Sequence, residues 1–343
     1  MPKVSVNLVT WNGLKYLADC LESIYQQTFQ DFSLIVIDNG STDGTVEFIK
    51  TKYPQAAVIQ NFKNLGFARA HNQAIEYSNT DYVLLINQDI ILNSDYLEQL
   101  IKTVETDSKI GSLGGKLLKI KTSQDDLNQK IKTSLIDSAG LTIFKNRRVI
   151  DRGSGQEDQG QYNQPEEIFG FSGALVLYRR QALNDIKLDH PGKKISEYLD
   201  QDFFSYKEDI DLAWRLQLAG WKSVYLPSAV AYHYRTASQA ENPGWQAIRI
   251  NRRDKSNFVN QLSYKNHLLL LFKNEALANF LKFSPQIVSY ELKKFFYLLI
   301  FEPANWYRSL KKFFKQLPRI LSKRKIYQEK IRLNSGQLNR WFI

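Results

Sequence analysis

The first hundred residues constrain the fold most: short apolar runs alternate with segments whose apolar residues recur at helical spacing. Residues 4–9, 32–37, 58–60 and 82–86 read as strands. Between them Leu14, Leu17, Ala18, Leu21, Ile24 and Tyr25 make one helical stripe, a second helix starts near Thr45, and residues 67–77 form a third. Such alternation predicts an α/β domain, Rossmann-like, with a mostly parallel sheet and helices on both faces. Ligands of open α/β sheets bind beyond the carboxyl ends of the strands. Three polar clusters, Thr10 to Asn12, Asp38 to Asp43 and Asn87 to Asp89, are therefore expected on one edge.

Further along, a helix is expected from Ser94 to about Thr106, followed by a glycine-rich strand over 110–118 and a polar surface insertion over 119–134. A strand pair turns through Arg147-Arg148. The Gly/Gln/Asp-rich loop 151–164 has the length of a lid or binding segment. Residues 171–178 read as a buried strand, with small residues where something needs close backbone approach. Glu208-Asp209-Ile210-Asp211 opens a helix whose buried stripe is Leu212, Ala213, Leu216 and Ala219.

With 343 residues, 43% of them hydrophobic, one large core and a smaller appendage are expected. Cys20 is the only cysteine, which excludes a disulfide framework or a cysteine-based metal site and fits a reducing cytosol. The chain enters a strand almost at once, and no apolar run approaches the eighteen or so residues of a membrane span. The formal charge of +11 is uneven: from Glu291 onward there are thirteen Lys and Arg against three Glu.

The runs Val4 to Asn12, Asp38-Asn39-Gly40-Ser41-Thr42-Asp43-Gly44-Thr45 and Asn64-Leu65-Gly66-Phe67-Ala68 resemble the inverting family 2 glycosyltransferases of GT-A fold. Asn87-Gln88-Asp89, Ser172-Gly173-Ala174, Phe203 to Leu212, Ala219-Gly220-Trp221 and His233 match in the same order, so the resemblance covers roughly residues 3–275. Among those enzymes the chain is most similar to bacterial rhamnosyltransferases of cell-surface polysaccharide synthesis.

The resemblance implies roles. Asp38 would accept the imide N–H of a uracil or thymine base, with Thr10, Asn12, Asn39 and Asn87 lining the nucleotide; the alternative is an Asp that only opens an Asx turn. Asp89 is the retained acid of the metal motif, whose first acidic position is Asn87 here, and His233 would complete the shell for Mg²⁺ or Mn²⁺; a packed structural histidine is the alternative. Asp209 would be the general base of a single displacement, the alternative being first-turn acids that satisfy the helix dipole. Asp211 would pair with Arg215 or meet the acceptor. Gly173 and Glu208 are further acceptor or diphosphate contacts, and Lys265, where the family commonly has Arg, would touch diphosphate or face water.

The tail mixes Phe, Tyr, Trp and Leu with lysines, the pattern of a helix lying on an anionic membrane; a packed helical hairpin and a nucleic-acid patch are its rivals, the last disfavoured because basic residues are confined to the tail. The expected organisation is a catalytic domain over 1–260 and a basic, membrane-associating helical extension over 261–343. The expected activity is transfer of a sugar, rhamnose favoured, from a UDP- or dTDP-sugar to a lipid-linked glycan acceptor at the inner face of the plasma membrane. A catalytically silent nucleotide-sugar-binding homologue is the second functional class.

Overall fold

The computed structural model of the chain describes residues 1–122, 130–189, 196–234, 249, 252–253 and 255–343. The expected alternation appears as β1 (Val4–Thr10), α1 (Leu14–Tyr25), β2 (Phe32–Asp38), α2 (Thr45–Lys52), β3 (Ala57–Gln60), α3 (Phe67–Tyr77) and β4 (Tyr82–Asn87). It continues with β5 (Ile90–Leu92), α4 (Tyr96–Val104), β6 (Ile110–Thr122), β7 (Lys130–Ser138), β8 (Leu141–Ile143), β9 (Val149–Asp151) and β10 (Glu166–Ile168). β11 (Leu175–Arg179), α5 (Arg180–Ile186), α6 (Glu208–Leu218) and β12 (Lys222–His233) follow, and then α7 (Asn257–Asn274), α8 (Leu277–Lys282), α9 (Ser284–Phe301), α10 (Pro303–Gln328) and a 3₁₀ turn at Ser335–Trp341.

The central path of the sheet runs β10-β12-β6-β11-β4-β1-β2-β3. β1 is buried almost throughout and pairs in parallel with both β2 and β4, in a register that sets Thr10 beside Asp38 and Val9 beside Asn87. That register brings the three polar clusters together. Beyond β4 the sheet is mixed, because β11 runs antiparallel to β4 and β6. The amino-terminal end of β11 therefore lies at the ligand edge, which delivers Gly173 and Ala174 there. One face of the sheet packs on α1 and α4, and the other on α3, α5 and α6.

The described part of the polar stretch 119–134 is strand: β6 runs through it to Thr122 and pairs Lys121 with Ile131 of β7, while residues 123–129 lie outside the described residues. The loop after β9 is tied to the body at several points. Gly155 N–H donates to the Ile136 carbonyl at 2.8 Å, and the buried Lys116 ammonium meets Asp158 at 2.7 Å and Asn163 at 2.6 Å.

The C-terminal helices are part of the body. α7 spans the boundary expected at 260/261. A single apolar cluster joins Leu141, Ile143, Ile210 and Trp214 to Leu269, Phe313, Ile320, Tyr327 and Phe342. Phe342 also bridges to Ile143 and lies under the fully buried Arg147 guanidinium, 3.7 Å from it. Several tail cations pair with the body: the buried Lys323 contacts Glu197, Asp200 and Asp202, and at the surface Arg332 pairs with Asp185 and Arg340 with Glu167. The outer face differs. On α9 Val288, Leu292, Phe296 and Ile300, four residues apart, are all exposed, as are Tyr307, Phe314 and Leu321 on α10. The exposed Lys293, Arg308, Lys311 and Lys315 flank them. Among the described residues no helix is long and apolar enough to cross a membrane.

Candidate active site

At the nucleotide edge most polar groups are already engaged. Asp38 is fully buried, and its carboxylate accepts the N–H groups of Gly40 and Ser41 at 3.1 Å, an Asx turn that shapes the loop after β2. Asn12, at φ 48°, accepts from Thr42 N–H at 2.9 Å and ties the loop after β1 to the same turn. Asn39 faces inward and receives the Asn61 amide at 3.0 Å. Thr10 donates its hydroxyl to Gln88 at 2.7 Å, and the Trp11 N–H uses the same Gln88 oxygen at 3.0 Å. Gln88 thus joins the end of β1 to the acidic cluster, a role its bare sequence position did not signal.

Asp89 and His233 meet because β12 pairs with β5 in a register that sets His233 opposite Ile90. The imidazole Nε2 lies 3.3 Å from Asp89 Oδ2, and Nδ1 lies 2.8 Å from Asp137 Oδ2. Burial alone would pull the imidazole toward neutrality, but the hydrogen bonds to Asp137 and Asp89 win and raise it to about 9. Among the described residues no three His, Cys or acidic side chains gather closely enough to hold a metal ion unaided. The donor set nevertheless fits a hard divalent cation that takes one carboxylate and one imidazole from protein and the rest from water and phosphate oxygens. A carboxylate behind the histidine is the usual second support of such a ligand.

Asp209, half-buried, lies across the same edge. Its Oδ2 accepts the Gly173 N–H at 3.0 Å and its Oδ1 the Ile210 N–H at 2.8 Å. The next residue, Ala174, accepts the Asn87 N–H through its carbonyl at 2.9 Å. Two consecutive residues therefore touch the base candidate and the strand end that carries Asn87 and Asp89. A side chain at Gly173 would crowd Phe67 at 2.9 Å, so glycine permits this approach. Burial raises the Asp209 carboxyl above its ordinary value, opposed by the two backbone N–H groups. Glu208 is buried beside it, with Oε2 lacking a hydrogen-bond partner, and burial and then Asp209 raise it further. The loop that delivers this pair is strained: Phe204, Tyr206 and Lys207 all have left-handed φ, at 66°, 70° and 75°.

The sequence profile of Glycosyl transferase family 2 matches residues 5–187. The chain belongs to that family. An N-acetylglucosaminyl-diphospho-decaprenol L-rhamnosyltransferase of Mycobacterium tuberculosis is 27% identical over 265 residues, covering 73% of this chain and 81% of that protein. A poly-beta-1,6-N-acetyl-D-glucosamine synthase of Staphylococcus aureus is 27% identical over 227 residues, covering 66% of this chain but 48% of that protein. The crystal structure of GalNAc-T7 with UDP, GalNAc and Mn²⁺ superposes with a TM-score of 0.55 at 14% identity, covering 80% of this chain and 48% of that one. The fold is GT-A with an integrated helical region at its C-terminus, and the chain is a glycosyltransferase most like rhamnosyltransferases.

In this glycosyltransferase two expected contacts move away from the site. Asp211 has no exposure: it is locked by Arg215 at 2.9 Å, Lys273 at 2.8 Å and Asn274 at 2.9 Å, so it pairs with Arg215 and cannot meet an acceptor. Lys265 neither touches diphosphate nor faces water. It is buried and donates to the Asp202 carbonyl at 2.8 Å and to Gln316 at 2.9 Å, and burial lowers it to about 8. Its neighbour Asn266 has the more direct role, its amide donating to the carbonyls of Phe203, Ser205 and Tyr206 at 2.9, 2.9 and 2.6 Å and clamping the strained loop. The partners of Asn266 and Asp137 lie at least 60 residues away in the chain, so these roles are not readable from sequence spacing.

Proposed function

We propose that this glycosyltransferase inverts the anomeric centre, moving a sugar, rhamnose favoured, from a UDP- or dTDP-sugar to a hydroxyl of a lipid-linked glycan at the inner face of the plasma membrane. The observation that carries the reading is the run Gly173-Ala174, which contacts Asp209 through one residue and the end of β4 through the next. Asp209 takes the acceptor hydroxyl proton as the new bond forms, its orientation set by the Gly173 and Ile210 N–H groups and its basicity increased by burial. Asp38, still with acceptor capacity beyond the two N–H groups it serves, reads the pyrimidine imide, with Thr10, Asn12, Asn39 and Asn87 around the nucleotide. Asp89 and His233 would hold Mg²⁺ or Mn²⁺, the histidine favouring Mn²⁺, and Asp137 fixes the ring. Bound there, such an ion would supply positive charge to the leaving nucleoside diphosphate.

The mycobacterial relative's name states a diphospho-decaprenol acceptor, which supports a lipid-linked acceptor here. The exposed apolar residues of α9 and α10, with Lys and Arg beside them, suit docking to an anionic leaflet. The test is a panel of nucleotide-sugars incubated with a lipid-linked glycan, with the product linkage read by NMR. An anomeric configuration opposite to that of the donor is expected; retention, or no transfer from any UDP- or dTDP-sugar, contradicts the reading.

A further inference from the structure

An aromatic wall leads from the base to the surface. A Cβ placed on Gly173 would lie 2.9 Å from the tip of the Phe67 ring and 3.5 Å from the Cβ of Asp209, so Phe67 and the base flank one glycine. A Cβ placed on Gly66, at φ 84°, would lie 2.6 Å from the Phe204 ring, which sets Phe204 against the backbone just before Phe67. Phe204 in turn meets Phe258 of α7, with ring centroids 5.8 Å apart and planes at 88°. Exposure grows along this line: Phe67 and Phe204 are half-buried, and Phe258 is 49% exposed.

The rings are held in place from behind. His71 is fully buried and packs edge-on to Phe67 at 4.3 Å, and burial keeps its imidazole neutral, at about 3, so it serves as one more aromatic ring. The Ala68 N–H donates to the Phe204 carbonyl at 3.2 Å, and the Asn266 amide holds the carbonyls on either side of Phe204. The left-handed backbone of Phe204 is thus fixed, and strain of this kind persists where the surroundings over-determine it, typically at a ligand clamp. The Lys312 ammonium lies over the Phe258 ring at 5.6 Å.

We infer that this wall is an acceptor-glycan subsite, on which pyranose rings lay their C–H faces against Phe204 and Phe258 and lead a hydroxyl past Phe67 to Asp209. The inference rests on the reading that Asp209 receives a glycan hydroxyl, and it adds the residues that hold the glycan. The negative face of an aromatic ring attracts the C–H groups of a pyranose, whose hydroxyls stay at the rim and keep their hydrogen bonds. A hydrocarbon chain fits poorly, because seating it here would strip water from the Asp209 carboxylate without replacing it. Exposed aliphatic side chains gather elsewhere, with Val288, Leu292 and Ile300 on the outer face of α9.

Saturation-transfer NMR of methyl β-glucopyranoside with the purified full-length chain tests this without turnover. Its hydroxyls are all equatorial, so each face of the ring is a patch of axial C–H, and saturation should concentrate on the axial protons of one face. Phe258→Ala and Phe258→Leu should each weaken binding at least about threefold, since both remove the π face and Leu keeps bulk, whereas Phe258→Trp should restore it. In turnover, Phe258→Ala should raise the acceptor KM at least about threefold with the donor KM within about twofold. No binding by the wild type, saturation spread evenly over both faces, or unchanged binding in Phe258→Ala and Phe258→Leu overturns the inference. Displacement of the glucoside by UDP would put it in the donor cleft, and displacement by farnesol would make the wall a hydrocarbon site; either result also overturns it. If sugar is transferred while Phe258→Ala keeps the wild-type acceptor KM, only this inference falls. If no sugar is transferred, the reading of Asp209 fails, and the glucoside titration still decides whether the wall binds a pyranose.

Discussion

Lys323→Met tests whether the C-terminal helix is structural or an appendage. Lys323 is 1% exposed, and its ammonium sits among Glu197 at 2.7 Å, Asp202 at 2.8 Å and Asp200. Removing one partner of a buried ion pair typically costs about 3–5 kcal/mol, because the remaining charge is left uncompensated. Here Asp200 keeps Lys273 at 2.7 Å and Asp202 keeps Arg319, which places the cost near the lower end, about 3 kcal/mol. With an unfolding entropy of roughly 2.1 cal/mol/K per residue over 343 residues, that is a fall in Tm of about 4 °C. The effect depends on pH with a definite sign. Burial would raise the Asp200 carboxyl, but Lys273 and Lys323 hold it below its ordinary 3.8, so its stabilisation is complete above that value and is lost as pH falls. Scanning calorimetry should therefore show the largest gap between variant and wild type near neutral pH and a smaller one in acid. Lys315→Met, on the exposed face, should change stability by less than about 0.5 kcal/mol. A Lys323→Met protein as stable as wild type at pH 7 would refute the reasoning.

Three other outcomes are expected. Asp137→Asn should weaken Mn²⁺ binding, measured by electron paramagnetic resonance of the free ion, by about 10- to 100-fold, since the ring of His233 loses its support; unchanged affinity would remove Asp137 from the site. The pH dependence of kcat should show activity appearing as pH rises through a value above 3.8, the ordinary Asp value, because burial raises Asp209 and only the ionised form takes a proton; a rate that stays flat down through that value would contradict the assignment. Leu292→Glu with Phe296→Glu should abolish flotation with anionic vesicles while leaving Tm within about 1 °C, since both side chains are about half exposed; persistent flotation would remove α9 from membrane contact. Point substitutions are needed, because deleting residues 291–343 would strip Phe313, Ile320, Tyr327 and Phe342 from the core.

The parallel half of the fold was legible because each of its strands is short, apolar and followed by a polar turn, and α3 falls at the residues that its periodicity predicts. The edge was legible for the same reason: Thr10, Asp38 and Asn87 end three neighbouring strands. The reversal of β11 was not, because strand direction leaves no mark in periodicity, although it is what brings Gly173 to Asp209. The tail was legible only in part from composition. Its lysines count as surface charge in a sequence, and only the folded chain sets Lys323 against Glu197, Asp200 and Asp202, more than 120 residues earlier. Asp211 shows the same limit: the i+4 pair with Arg215 was readable, whereas Lys273 and Asn274, which seal it from the site, arrive from α7.

The central claim is that Asp209 accepts the acceptor proton while the nucleotide-sugar is held across the Gly173-Ala174 edge. Steady-state turnover of Asp209→Asn, followed by nucleoside diphosphate release with donor and lipid-linked acceptor, tests it most directly. A loss of about 10²- to 10⁴-fold in kcat with the donor KM within a few-fold is the predicted result; turnover equal to wild type would contradict the account.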